Sequence, residues 1–198
     1  KSRSVFMSSR RIIILFVVLE FVIAGIAVAV DGFSVSALQT TTRFSGRLSL
    51  FLFSAIFLLH HKPDTLHAWL STKFYLLFAI VHGIHLIELS GYIYLSGTPL
   101  VPIRVAGGFL GYALIFLMPV LSSLETKRRI SKRNFFITQT VFLYYLWLLF
   151  FLTYLPRVQG KLPNVGGHYA EHVALLGWVS TMLGIKLTNL IQFKRTRS

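Results

Sequence analysis

Six apolar stretches, at approximately residues 11–30, 46–61, 72–96, 102–123, 134–156 and 168–192, take up most of this chain. A membrane-spanning helix needs about 20 predominantly apolar residues, so each stretch, the second only just, reads as a span. Backbone polar groups in lipid must be satisfied within a helix or around a closed barrel, and no stretch shows the polar and apolar alternation of a barrel strand. The expected fold class is therefore all-α integral membrane: a six-transmembrane-helix bundle forming a single domain over 1–198. Turn chemistry separates the stretches. It consists of Lys62-Pro63-Asp64, in a loop expected to run to Ser71, then Ser96-Gly97-Thr98-Pro99, then Gly160 to Gly167. The 55% hydrophobic content exceeds the roughly 45–50% of soluble domains. The first stretch follows Arg10-Arg11 as a signal peptide would. It is longer than a signal core of about 7–15 residues and lacks a small-residue cleavage site before Asp31, so a retained anchor helix is expected.

The basic residues orient this arrangement. Fourteen of the 20 Lys and Arg fall before the first stretch (Lys1, Arg3, Arg10, Arg11), between the second and third (Lys62, Lys73), between the fourth and fifth (Lys127, Arg128, Arg129, Lys132, Arg133) and after the sixth (Lys194, Arg195, Arg197). Arg43, Arg47, Arg104, Arg157 and Lys161 belong to the other side, and Lys186 lies inside the sixth stretch. Cytoplasmic loops carry the excess of Lys and Arg, so both termini are expected in the cytoplasm. The net charge of +14 then reads as a face toward anionic headgroups, with no nucleic-acid partner. There is no cysteine, which removes disulfides, thiolate metal sites and cysteine nucleophiles from consideration.

Ionisable side chains at bilayer depth are costly unless paired or coordinated, and mark function by default. Here they are Glu20, His82, His85, Glu88, Glu171, His172 and Lys186. His82 and His85 are one helical turn apart, on nearly the same face of the third stretch. Neutral imidazole is an axial ligand of haem iron, so the pair suggests a haem site; structural histidines bonded to a neighbouring hydroxyl, carboxylate or carbonyl would look the same. His168-Tyr169-Ala170-Glu171-His172 has the H-x-x-E-H form, which makes His168 and His172 secondary metal candidates. An interfacial helix start with Glu in its first turn explains the same string. His60, His61 and His67 lie in or beside the second loop. Gly107, Gly108, Gly111 and Gly184 suit close helix approach.

Several strings in order resemble the bacterial ferric reductase-like transmembrane domain. They are Thr41-Thr-Arg-Phe-Ser-Gly-Arg-Leu-Ser-Leu50, Val81-His-Gly-Ile-His85, Gly107-Gly-Phe-Leu-Gly-Tyr112 and Leu143-Tyr-Tyr-Leu-Trp-Leu-Leu-Phe-Phe-Leu-Thr-Tyr154, and the likeness spans roughly 41–156. It implies a bundle that binds haem b, with His82 and His85 in the place of the family's helix-three histidines. The family's Leu-His pair early in helix five falls on Thr138-Gln139 here. An opposite ligand would have to come from elsewhere, such as His172, His60 or His61. By the 1.5 Å rise, His85 lies roughly 16 Å from the outer end of its helix and His172 only about 6 Å into its own.

Three functions follow as expectations. The first is a membrane electron-transfer protein, an oxidoreductase component in a bacterial inner membrane, with haem near His82 or His85 and a separate donor, a flavoprotein or quinol. The chain itself carries no flavin- or nicotinamide-binding motif. The second is a haem-poor or haem-free accessory subunit of a larger membrane complex. The third is a small proton or ion transporter using Glu20, Glu88, His82 and Lys186 as an intramembrane relay.

Overall fold

The computed structural model describes residues 9–59, 65–162 and 166–195. These residues form six helices: α1 (Ser9–Asp31), α2 (Val35–Leu59), α3 (Thr65–Ser96), α4 (Pro102–Thr126), α5 (Lys132–Val158) and α6 (Tyr169–Arg195). Among the described residues there is no strand. Five helices are long and apolar enough to cross a membrane, at Arg10–Asp31, Val35–Leu59, Lys73–Ser96, Pro102–Thr126 and Lys132–Val158. α6 matches α5 in length at 27 residues, but Glu171, His172, Lys186 and Asn189 make it less apolar, so the expectation of six such helices is met by five.

Two boundaries differ from the expected ones. α2 begins eleven residues before residue 46, because Ser34 caps it by accepting the amide of Ala37 at 3.1 Å. Its polar first half returns the Thr41 and Thr42 hydroxyls to the carbonyls of Ala37 and Leu38 at 2.9 and 2.8 Å. Arg43 and Arg47, assigned to the non-cytoplasmic side, therefore both lie inside a helix. α3 resumes at Thr65 within the expected loop; a proline stops the helix before it without hindering one that starts just after. Gly32 and Gly97, directly after α1 and α3, take left-handed φ values of 67° and 64° that only glycine adopts at little cost.

α2, α3, α4, α5 and α6 pack each against the next, and α6 returns to α2, so five helices close a ring; α1 lies outside it against α2 and α3. The ring is filled with aromatic side chains. Phe53 of α2 meets Phe150 of α5 at 5.1 Å and Phe78 of α3 at 6.1 Å between ring centroids; Phe53, Phe57, Phe78 and Phe142 are completely buried. α4 and α5 touch at Gly111, where a Cβ would stand 2.6 Å from Leu149 Cδ1. Gly108 and Gly184 have nothing within 4 Å of such a Cβ, so of the glycines expected at helix contacts only Gly111 is at a tight one. Apolar side chains such as Phe21, Ile103 and Phe109 cover the outside, as a lipid-facing surface requires.

Candidate functional site

His82 and His85 project from α3 with their ring centroids 5.3 Å apart. His82 packs against three further aromatic rings: Tyr112 of α4 at 5.0 Å, Phe78 one turn earlier at 5.2 Å and Phe150 of α5 at 6.3 Å. His85 turns instead toward α2 and lies on the bare backbone of Gly46, with Cε1 3.0 Å from where a Cβ would be. The Nδ1 atom of each ring is buried without a hydrogen-bond partner.

Beyond His85, α1, α2 and α3 bring two carboxylates to one hydroxyl. Glu20 is mid-way along α1 and 2% exposed; Ser45 of α2 is fully buried. Glu88 follows His85 by three residues, one turn along α3. The Ser45 hydroxyl lies near both carboxyl groups. Neither Glu20 oxygen makes a well-aligned hydrogen bond, nor do Glu88 Oε2 and the hydroxyls of Ser45 and Ser49. Unsatisfied buried polar groups cost about 1–3 kcal/mol each, so five such atoms together are an arrangement that folding alone does not favour. A cavity of about 510 Å³, lined by Ala24, Val28, Leu38 and Thr41, runs along the same three helices to Glu88.

The structure divides the expected relay. Lys186 is buried, but it donates to the Phe57 carbonyl at 2.7 Å and sits 4.5 Å from the Phe57 ring centroid. That carbonyl belongs to the last turn of α2, where intrahelical partners run out. Lys186 thus caps α2 on the far side of the bundle from Glu20.

No family model, curated protein or solved structure matches this chain. Gln139, at the position where the resemblance puts a histidine, is buried and donates its amide to the Tyr75 hydroxyl. Tyr75 is seven residues before His82, about 10 Å along the helix, so Gln139 faces α3 at another level. Opposite His82 stand Tyr112 and Phe150, and among the described residues no three His, Asp or Glu side chains converge on a point that could hold a metal. The Nδ1 atoms of both rings are left without partners, while the His85 ring itself fills the space over Gly46 and aromatic rings pack against His82.

His168 and His172 separate. His168 is exposed, whereas His172 is 6% exposed with neither ring nitrogen hydrogen-bonded. Glu171 between them bonds Arg47 at 2.6 Å and accepts the His168 amide at 3.3 Å, as an acidic residue in a first helical turn does. That ion pair, rather than a metal, takes up the H-x-x-E-H carboxylate. The Arg47 hydrogen bond holds the Glu171 carboxyl below its ordinary range. Burial first, then the guanidiniums of Arg157 and Arg47, keep His172 below the ordinary imidazole value. His60 and His61 lie outside the described residues, as does the side chain of His67. Ser45, Ser49 and Gly46 were not singled out from sequence. Their signal is the i, i+4 serine pair beside a glycine on a helix that is otherwise apolar after Arg47.

Proposed function

We propose that the chain is a multi-pass membrane protein that transfers protons through part of the bilayer along Glu20, Glu88, Ser45, His85 and His82. The observation that carries this is the meeting of the buried Glu20 carboxyl and the half-buried Glu88 carboxyl at one hydroxyl, at the end of a cavity. Carboxyl and imidazole groups exchange protons readily, and chains of them inside membranes are the usual form of a proton relay. Water in the cavity would deliver a proton to Glu88; Ser45, which can donate and accept at once, links Glu88 to Glu20; His85 and His82 continue inward. Phe78, Phe150 and Tyr112 line the path around His82. Infrared spectroscopy across a pH series tests it. A protonated carboxyl band from a lipid-buried site, exchanging in deuterated water and lost in Glu20→Gln or Glu88→Gln, is expected. No such band, or one unaffected by both variants, overturns the relay.

The second reading is a membrane haem b protein of the ferric reductase-like kind, fed by a separate flavoprotein or quinol. The orphaned Nδ1 atoms of His82 and His85 favour it together with the sequence resemblance. His82 or His85 would hold the iron from one side, and haem would supply one-electron chemistry. Purified protein that shows a Soret band, lost in His82→Ala or His85→Ala, supports this reading; a featureless spectrum removes it. In either case, with α6 as a sixth crossing, the surplus of Lys and Arg supports a topology with both termini in the cytoplasm, and a bacterial inner membrane is the proposed location.

A further inference from the structure

At the end of the bundle where α5 and α6 meet, guanidinium groups outnumber the carboxylates that could neutralise them. Arg43 and Arg47 lie one turn apart on α2, on either side of Phe44, at 5.2 and 4.7 Å from its ring centroid. Arg157 comes from the last turn of α5, over Tyr154 at 5.7 Å. Arg157 feels both Arg47 and the exposed Arg104 of α4. Arg43 approaches Gly166 and Gly167 so closely that a Cβ on either would stand 3.1 or 3.2 Å from its Nη1. Arg47 and Arg43 thus both act on Glu171, the carboxylate that forms the ion pair here, and Arg157 joins them beside His172. Into this cluster α6 sets His172, buried, with both nitrogens free. The Nε atoms of Arg43 and Arg47 are also buried without partners.

Like charges do not gather in a half-buried place without cost, and unused donors beside them add to it. An oxyanion removes both costs. Glu171 already shows the chemistry, since its carboxylate takes Arg47 and the His168 amide of the first turn of α6. After that pairing Arg43 remains, as do the donors of Arg157 other than the Nη1 that bonds the Thr153 carbonyl, and planar guanidiniums match phosphate oxygens two at a time. We propose that Arg43, Arg47, Arg157 and His172 form a binding site for a phosphate group, with Glu171 as an internal competitor for Arg47. The phosphate comes either from an anionic lipid headgroup at the bilayer surface or from a free phosphate in the water outside it.

Two probes separate these sources. Inorganic phosphate is titrated calorimetrically into detergent-purified protein, and phosphatidylglycerol or phosphatidylcholine nanodiscs are examined by native mass spectrometry for lipid retained on the chain. Saturable heat with inorganic phosphate assigns the free ion; retention of phosphatidylglycerol over phosphatidylcholine without such heat assigns the headgroup. In both cases Arg43→Gln with Arg157→Gln, which leaves the ion pair intact, is expected to weaken binding about tenfold or more. Glu171→Gln frees Arg47 and is expected to strengthen it about threefold or more; a merely structural cluster would lose stability in this variant and gain no binding. Neither probe binding, or binding unchanged in the double variant and not strengthened by Glu171→Gln, overturns the proposal.

Discussion

The imidazole of His85 rests on the backbone of Gly46, with only 3.0 Å between its Cε1 atom and the place a Cβ would occupy. α2 therefore carries a gap in its side chains at the level of the α3 histidine, and the ring reaches the boundary between the aromatic core and the Glu20, Ser45 and Glu88 cluster. Gly46→Ala forces the ring away. Overpacking of this kind costs about 1–3 kcal/mol, and His85→Ala in the same background should recover most of it. Thermal unfolding of the four proteins of this double-mutant cycle in one detergent checks the coupling; additive losses would separate the two residues.

Lys186 is assigned to the end of α2 and not to the proton path. Lys186→Met keeps the length and loses the donor, leaving the Phe57 carbonyl unsatisfied at a cost of about 1–3 kcal/mol. Denaturant unfolding should show that loss while proton transfer stays at the level of the unaltered protein. A variant that is stable and inactive would put Lys186 back in the relay.

The Arg47 and Glu171 pair sets an acid limb for stability. The folded state holds the Glu171 carboxyl below its unfolded value of about 4.3, so its contribution is complete above that pH and fades as pH falls through the lower folded value. Melting temperature followed downward from pH 6 should drop less steeply in Glu171→Gln. Identical slopes would mean that the pair adds nothing, the common outcome for exposed ion pairs.

The number and order of the helices were legible because lipid forces every span into a long apolar segment. Where α2 begins was not: residues 35–46 are polar, and hydropathy reads them as a loop although the Ser34 cap and the threonine back-bonds make them helix. That hid the register of Arg43 and Arg47. His82, His85, Glu20 and Glu88 stood out in sequence as polar groups in apolar surroundings, but spacing along single helices cannot say which face meets which. Only packing brings Glu20 of α1 to Ser45 and sends Lys186 to the other side. Gln139 was legible as a departure from the resemblance, and its partner Tyr75 was not, since nothing along the chain links residues 64 positions apart.

Proton flux in proteoliposomes under an imposed membrane potential tests the relay most directly. The unaltered protein is expected to carry a flux above that of empty liposomes, reduced about tenfold or more in Glu20→Gln and in Glu88→Gln and unaffected by Lys186→Met. No flux above the lipid background, or a flux that survives both carboxyl substitutions, would contradict a proton path through Glu20, Ser45 and Glu88.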